Sequence, residues 1–172
     1  MAVYKVRVVR AGEWRKLKAL RLEALADPVA SVAFLERHED AVSYPDELWQ
    51  QRAAEGEKQE DKVTFVGEDS DGQWCGMLTV LAEEAQTQLV GVYTRPEQRG
   101  TGLAVRLFEA ALEWSWTRPE VRSVRLCLHR DNLRAEAFYR RMGFRLVGKA
   151  VPDPEGPGYL EHRMVLERPP DL

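Results

Sequence analysis

A glycine-containing stretch in the second half of the chain reads Arg99-Gly100-Thr101-Gly102-Leu103-Ala104. A strand is predicted before it, over residues 87–94, and an amphipathic helix after it, over residues 102–116. The N-terminus of a helix leaves about four amide N–H groups without a partner and carries about half a positive charge. Because Gly100 and Gly102 let the backbone approach an anion closely, this setting favours a diphosphate-binding loop. Without that setting, the same residues would serve equally well as a simple turn.

Two familiar types of phosphate loop are excluded by the residues themselves. The stretch lacks the Gly-Lys-Ser/Thr ending of a nucleoside-triphosphate loop, and its glycines do not follow the dinucleotide-binding spacing. Arg99 adds a positive charge and the small Ala104 leaves the first helical turn open, and both features suit a diphosphate. The loop is therefore expected to bind a diphosphate ligand that is neither a nucleoside triphosphate nor a dinucleotide.

A second motif lies further along the chain, over residues 132–144, and reads Asn-Leu-Arg-Ala-Glu-Ala-Phe-Tyr-Arg-Arg-Met-Gly-Phe. It resembles the asparagine-to-glycine-phenylalanine helix of the GNAT superfamily of N-acyltransferases. Residues 99–104 fit that superfamily's Arg/Gln-X-X-Gly-X-Gly/Ala loop, and the two motifs stand in the family's order. Residues 92–96 also resemble its fourth strand, although Thr94 stands where valine is commoner. The resemblance identifies the chain as a GNAT member, most closely over residues 86–146.

The rest of the chain supplies the remaining elements of such a fold. Apolar periodicity and turn residues predict the order βααβββαβαββ, with an irregular stretch over residues 29–43 between the first two helices. The predicted strands span residues 1–9, 62–68, 73–82, 87–94, 121–128, 144–151 and 159–167. The resemblance implies an α/β (α+β) fold, a mixed, mostly antiparallel sheet of about seven strands with flanking helices. It further implies that the sheet is splayed between its fourth and fifth strands.

The resemblance also assigns the donor site, with acetyl-CoA as the acyl donor. In the family, the backbone of strand four pairs with the pantetheine amides, and the loop amides bind the pyrophosphate. The matching residues here are Val92, Tyr93 and Thr94 on the strand, and Arg99, Gly100, Thr101, Gly102, Leu103 and Ala104 in the loop. Asn132 would lie beside the cofactor arm, and a plain helix cap explains this residue equally well.

Tyr139 is the residue that the resemblance assigns as the general acid. The departing thiol has an ordinary pKa of about 8.5 and leaves as a thiolate, whereas a phenol with a pKa of about 10 is still protonated at neutral pH. The alternative is a core aromatic on the apolar stripe of its helix, beside Phe138 and Met142.

The acceptor amine must lose a proton before it can attack, so the site needs either a base or surroundings that lower the pKa of the amine. An alkylamine with a pKa of about 10.4 is neutral in only about one part in 2,500 at pH 7. Glu83 and Glu84, at the end of the third strand, are the first candidates for the base, and solvated turn residues are the alternative. His129 is a candidate for a water relay or a surface histidine.

Two segments are candidates for the wall of the acceptor pocket. Phe34, Tyr44 and Trp49 fall in the two-helix insertion, where they suit either an aromatic cage for a cation or core packing. The Pro- and Gly-rich residues 152–158 are expected to form a loop that contributes a second wall.

Composition limits the classes of partner. The 172 residues fit one domain, residues 1–172, and the net charge of −3 argues against a nucleic-acid binder. No stretch approaches the roughly 20 apolar residues of a membrane span, so no membrane partner and a cytoplasmic location are expected. Cys75 and Cys127 have apolar neighbours in predicted strands, which predicts buried free thiols, no metal site and no acyl-enzyme.

Three functions are compatible with these residues. The first is acetyl transfer from acetyl-CoA to a primary amine of a small molecule, by direct attack in a ternary complex. The second is a CoA-binding regulatory module without turnover, which the tyrosine at position 139 disfavours. The third is a protein or peptide N-acetyltransferase, which would need an open groove. The resemblance also makes a homodimer a fair expectation.

Overall fold

The computed structural model describes residues 3–27, 36–153 and 156–172, and of residues 149–160 it describes no side chains. Its elements follow the predicted order except for one additional short helix between β1 and β2. They are β1 (Lys5–Val8), α1 (Trp14–Ala26), α2 (His38–Val42), α3 (Asp46–Lys58), β2 (Lys62–Glu68), β3 (Trp74–Glu83), β4 (Gln86–Thr94), α4 (Leu103–Trp116), β5 (Ser123–His129), α5 (Leu133–Arg141), β6 (Arg145–Asp153) and β7 (Gly156–Glu167). Short 3-10 turns occupy Ala11–Glu13 and Pro96–Gln98.

The region between β1 and β2 differs from the prediction in one element. Two helices were expected there, and the described part of the chain contains a third, the five-residue α2, within the stretch predicted to be irregular. A helix of little more than one turn is too short to produce an apolar periodicity, so the sequence gives no signal for it. Phe34 and Leu35 lie outside the described residues.

The seven strands form one sheet in the order β1-β2-β3-β4-β5-β7-β6. Every neighbouring pair is antiparallel except β4 and β5, which run parallel. A parallel pair needs a crossover, and α4 provides it. The α/β fold with a mixed, mostly antiparallel sheet is therefore confirmed.

The parallel pair β4–β5 separates partway along its length. Only the first four residues of each strand pair, Gln86 with Ser123 through Leu89 with Leu126. Directly after Leu89, strand β4 carries a bulge. Met77 and Thr79 of β3 are two residues apart, whereas their partners on β4, Tyr93 and Val90, are three residues apart, so β4 contains one extra residue. Gly91, with φ of 63°, supplies the left-handed backbone inside this bulge. The bulge coincides with the point at which β4 leaves β5.

Helix α4 packs on one face of the sheet, and α1 and α3 pack on the other. Leu103, Leu107 and Phe108 are fully buried on the α4 face, together with β5 residues such as Leu126. The opposite face buries Leu20 of α1 in a separate cluster, which includes members of β2, β3 and β4. The two layers leave the gap between β4 and β5 bordered by α4 on one side.

Two paired glycines seat the first residue of α4 on the sheet. Gly67 of β2 and Gly76 of β3 are register partners, and the Leu103 side chain lies over both of them. A Cβ on Gly67 would come within 2.5 Å of Leu103 Cδ1, and one on Gly76 within 3.2 Å of Cδ2. The start of α4, and with it the glycine loop, is therefore positioned by the absence of two side chains.

We expect Gly76→Ala to lower the free energy of unfolding by about 1–3 kcal/mol, as overpacking in a core does. The new Cβ would lie 2.9 Å from the carbonyl oxygen of Tyr93, a backbone atom that cannot rotate away. Urea denaturation measures the change. Gly12→Ala is the matched control, because no atom lies within 4 Å of its Cβ position. Equal stabilities for the two variants would contradict this account of the packing.

Candidate functional site

The glycine loop between β4 and α4 has the backbone that the sequence predicts. Gly100 and Gly102 have φ of 78° and 89°, in the left-handed region that side-chain-bearing residues rarely adopt. No atom lies within 4 Å of the Cβ position of either glycine. The glycines are therefore required by backbone conformation rather than by crowding, and the space over them is open to a ligand.

The N-terminus of α4 is electrostatically suited to an anion. Gly102 is its N-cap and offers no side-chain acceptor, and no acidic residue occupies the first turn. The first i to i−4 hydrogen bond of the helix is donated by the Arg106 amide to the Gly102 carbonyl, at 3.1 Å. The amides of residues 103–105 precede it and have no carbonyl within the helix to bind, because of helix geometry alone. These amides and the helix dipole together favour negative charge.

Charged side chains tie the loop to the end of α1. Arg95 donates to Glu23 at 2.9 Å, and Arg99 donates to Asp27 at 3.1 Å. The Asp27 side chain is only 5% exposed, so this ion pair is shielded from water on its acidic side. The guanidinium of Arg99, expected to add positive charge for an anion, is thus held by Asp27. A direct contact of Arg99 with a phosphate stays a prediction.

Residues 92–94 of β4 have one edge paired and the other facing the gap. Thr94 pairs with Gly76 and Tyr93 with Met77 of β3, whereas the described β5 residues pair with β4 only as far as Leu89. Tyr93 is buried in the cluster under α1, and burial raises the pKa of its phenol to about 12. Its side chain is therefore committed to the core, and its backbone is the part that borders the gap.

Helix α5 and the residue that caps it supply the two residues that the second motif singled out. The Asn132 side chain accepts a hydrogen bond from the Ala135 amide at 3.3 Å, which confirms its role as a helix cap. Tyr139 is half-buried and stacks on Phe108 of α4, with ring centroids 5.5 Å apart and an interplanar angle of 27°. The α4 face of the sheet therefore holds Tyr139. Its role as an acid is a separate prediction.

Glu83 and Glu84, the candidate bases, lie at the β3–β4 hairpin. Glu83 Oε2 accepts from Arg125 at 3.1 Å and from the Gln86 side chain at 2.9 Å, whereas Glu84 is an exposed turn residue. Gln86 begins the paired part of β4 and β5, so Glu83 lies at the closed end of the gap. The base role of this pair stays a prediction.

A group of polar residues that the sequence did not single out lies beside the gap on β5 and β7. Cys127 is the first β5 residue after the last pair with β4, and it is half-buried rather than buried as expected. Its register partner is Arg163, and the partner of His129 is Glu161. Burial, followed by the charge and hydrogen bond of Glu161, raises the pKa of the Cys127 thiol to about 11. The Cys127 thiol is therefore protonated at neutral pH.

The expected aromatic wall is differently arranged. Trp49 is fully buried, and its ring centroid is 6.2 Å from that of Tyr44. The Arg52 guanidinium lies 4.9 Å from the Trp49 ring centroid and 5.5 Å from that of Tyr44. A cation of the protein thus already occupies these rings, which favours packing over a ligand cage. The second wall was predicted as a loop over residues 152–158, and this is wrong for the described part, since β6 continues to Asp153 and β7 begins at Gly156. Residues 154 and 155 lie outside the described residues.

Neither a metal centre nor a membrane-spanning helix is present among the described residues. They contain no group of three or more His, Cys, Asp or Glu side chains arranged to hold a metal ion. No helix among them is long and apolar enough to cross a membrane.

Comparison with known proteins adds a family and two kinds of relative. A curated relative, the uncharacterized protein YxbD of Bacillus subtilis, is 32% identical over 78 residues, which are 45% of this chain and 47% of that protein. The chain therefore aligns with about half the length of this relative. Among solved structures, the PaiA N-acetyltransferase of Thermoplasma acidophilum, in complex with coenzyme A, superposes with a TM-score of 0.78 at 17% identity, covering 96% of this chain and 99% of that one.

A second solved structure, the spermidine N-acetyltransferase of Vibrio cholerae in complex with CoA and spermine, gives a TM-score of 0.67 at 20% identity, over 95% of each chain. At these identities the two structures show a shared fold. The profile of the acetyltransferase (GNAT) family matches residues 15–144, which include β4, the glycine loop and α5. The chain belongs to the acetyltransferase (GNAT) family.

Proposed function

We propose that this protein transfers an acetyl group from acetyl-CoA to a primary amine of a small molecule, by direct attack in a ternary complex. The observation that carries the proposal is the early end of β4–β5 pairing at Leu89, beside a helix N-terminus suited to a diphosphate. Family membership supports an acetyltransferase, and relatives of the same fold hold coenzyme A. The cytoplasmic location and the homodimer are expectations that belong with this proposal.

The residues of the gap fit the chemistry of CoA. In this proposal the amides from Gly100 to Ala104 hold the diphosphate, and the open space above both glycines supports it. The Thr101 amide, which donates to the Gln98 carbonyl at 3.4 Å, would exchange that bond for the ligand. The unpaired edge of residues 92–94 offers backbone groups to the two amides of the pantetheine arm, as a further strand would. Asn132 caps α5 near the far side of the gap, which keeps it available as a neighbour of that arm.

A small-molecule acceptor is the class that a relative supports. The Vibrio cholerae enzyme of the same fold was solved with CoA and spermine. The net charge of −3 is compatible with a cationic amine.

Tyr139 is our candidate for proton donation to the departing thiolate. Its stacking on Phe108 holds the phenol on the α4 face of the sheet, where the diphosphate loop also begins. Glu83 and Glu84 are the bases that the sequence alone predicts for removing the proton of the amine, and Arg125 and Gln86 already bind the Glu83 carboxylate. No step calls for a covalent intermediate, since Cys75 is buried and the raised pKa of Cys127 keeps that thiol protonated.

We expect Gly102→Ala to weaken CoA binding, because a Cβ disfavours the left-handed backbone that aims the α4 amides. Isothermal titration with CoA should show a loss of about tenfold or more. Gly72→Ala is the matched control: its φ of 79° imposes a similar strain, with nothing within 4 Å, in the β2–β3 hairpin. Equal CoA affinities for the two variants would argue against the loop as the diphosphate site.

We expect Tyr139→Phe to lower kcat by about 10²-fold, as the loss of a general acid does, while the KM for acetyl-CoA stays the same. The phenylalanine preserves the stacking on Phe108, so the fold should be retained. Thiol release from acetyl-CoA measures the rate across pH. A variant with full activity at every pH would show that Tyr139 is not the acid.

The function itself is tested by thiol release across a panel of polyamines, amino acids, aminoglycosides and peptides. Turnover on a small amine supports the proposal, and turnover on peptides alone would replace it with a protein-modifying activity. CoA that raises the melting temperature without turnover on any acceptor would indicate a binding module, since a ligand of the native state stabilises it.

A further inference from the structure

The face of the sheet opposite α4 carries a carboxylate beside the gap. Side chains alternate along a strand, and Leu126 and Leu128 of β5 are buried in the cluster under α4. Cys127 and His129 therefore project to the opposite face. Residues directly across an antiparallel ladder share a face, so Glu161, the partner of His129, projects to that face as well.

The position of Glu161 along the sheet is set by the β5–β7 register. Cys127 and Glu161 are diagonal neighbours on one face of this ladder, close enough for the Glu161 charge to raise the pKa of the Cys127 thiol. Cys127 is the first β5 residue beyond the last β4–β5 pair. Glu161 thus reaches the point where the two strands separate. Glu83, by contrast, lies at the hairpin, about 10 Å back along β4 at about 3.3 Å per residue.

The charges around the two carboxylates also differ. Glu83 Oε2 accepts from Arg125 and from the Gln86 amide group, which fill its hydrogen-bonding directions on that oxygen. Among the described residues no ion pair involves Glu161, and the Cys127 thiol beside it is neutral, so the charge of Glu161 is less compensated than that of Glu83. Its register partners are His129 on β5 and Val151 on β6, and Arg163 is its next same-face neighbour along β7.

We propose that Glu161 is the base that takes the proton from the acceptor amine, and that Cys127 is the residue that positions it. The proposal rests on the acetyl transfer proposed above. Tyr139 lies on the α4 face and Glu161 on the opposite face, so the acid and the base address the reacting carbon from the two sides of the gap.

The proton and electron balance of the step is complete with these two groups. The ammonium form of the acceptor first releases one proton to solvent. The neutral amine nitrogen then bonds to the thioester carbonyl carbon and the C–S bond breaks, leaving its electron pair on sulfur. The proton that the nitrogen loses goes to Glu161, and the sulfur receives a proton from the Tyr139 hydroxyl. Solvent then returns the proton from Glu161 to Tyr139, and no oxidant, metal or acyl-enzyme is needed.

The test compares Glu161→Gln with Glu83→Gln and Glu84→Gln in thiol release with the best amine of the panel. The expected result is a loss of kcat of about 10²-fold for Glu161→Gln and less than about threefold for the other two. All three variants should keep the KM for acetyl-CoA and the melting-temperature rise with CoA. Wild-type kcat in Glu161→Gln, or an equal loss in Glu83→Gln, would overturn the assignment.

The positioning role has its own pair of variants. Cys127→Ser keeps a donor toward the carboxylate and should retain most of kcat, whereas Cys127→Ala removes the donor and should lose several-fold. Equal activities for the two would refute the positioning role of the thiol.

Failure of the proposed function is distinguishable, because the wild-type protein would then bind CoA and turn over no acceptor. A Glu161→Gln variant that loses the CoA-induced rise in melting temperature would show a structural role for Glu161 and overturn its assignment as the base.

Discussion

The parallel contact between β4 and β5 is the constraint on which the site depends. It extends over four residue pairs and ends where the Gly91 bulge turns β4 away. A sheet that stayed paired along both strands would bury these backbone groups in a ladder and leave no room for a ligand. The same divergence exposes the inner edge of residues 92–94 on one side and Cys127 on the other. Backbone geometry thus creates the site before any side chain contributes chemistry.

The second half of the arrangement is the seating of α4. Leu103 is held over Gly67 and Gly76, and the helix begins at Gly102 with a left-handed cap. The ion pairs of Arg95 and Arg99 with the end of α1 hold the loop from the other face. The α4 helix therefore begins with unpaired amides and no acidic residue in its first turn. The packing of the loop and the electrostatics of the helix N-terminus both favour an anion at this position. Family membership suggests that the anion is the diphosphate of CoA.

Local patterns were enough to predict most of the fold, and long-range register was not. Apolar periodicity gave β2 at its observed bounds and α4 to within a residue, because both are long and regular. The five-residue α2 left no periodic trace. Glu161 was missed for a different reason: its contact with Cys127 depends on the β5–β7 register, which no local pattern specifies. The partly exposed setting of Cys127 follows from the same divergence of β4, a tertiary feature that its apolar neighbours concealed.

A crystal structure of the protein with CoA tests the central claim most directly, namely that the divergence of β4 from β5 creates the acyl-donor site. The account predicts diphosphate oxygens within hydrogen-bonding distance of the amides of residues 100–104 and the CoA sulfur between the Gly91 bulge and Cys127. CoA bound elsewhere, or β4 and β5 paired beyond Leu89 with the gap closed, would contradict it.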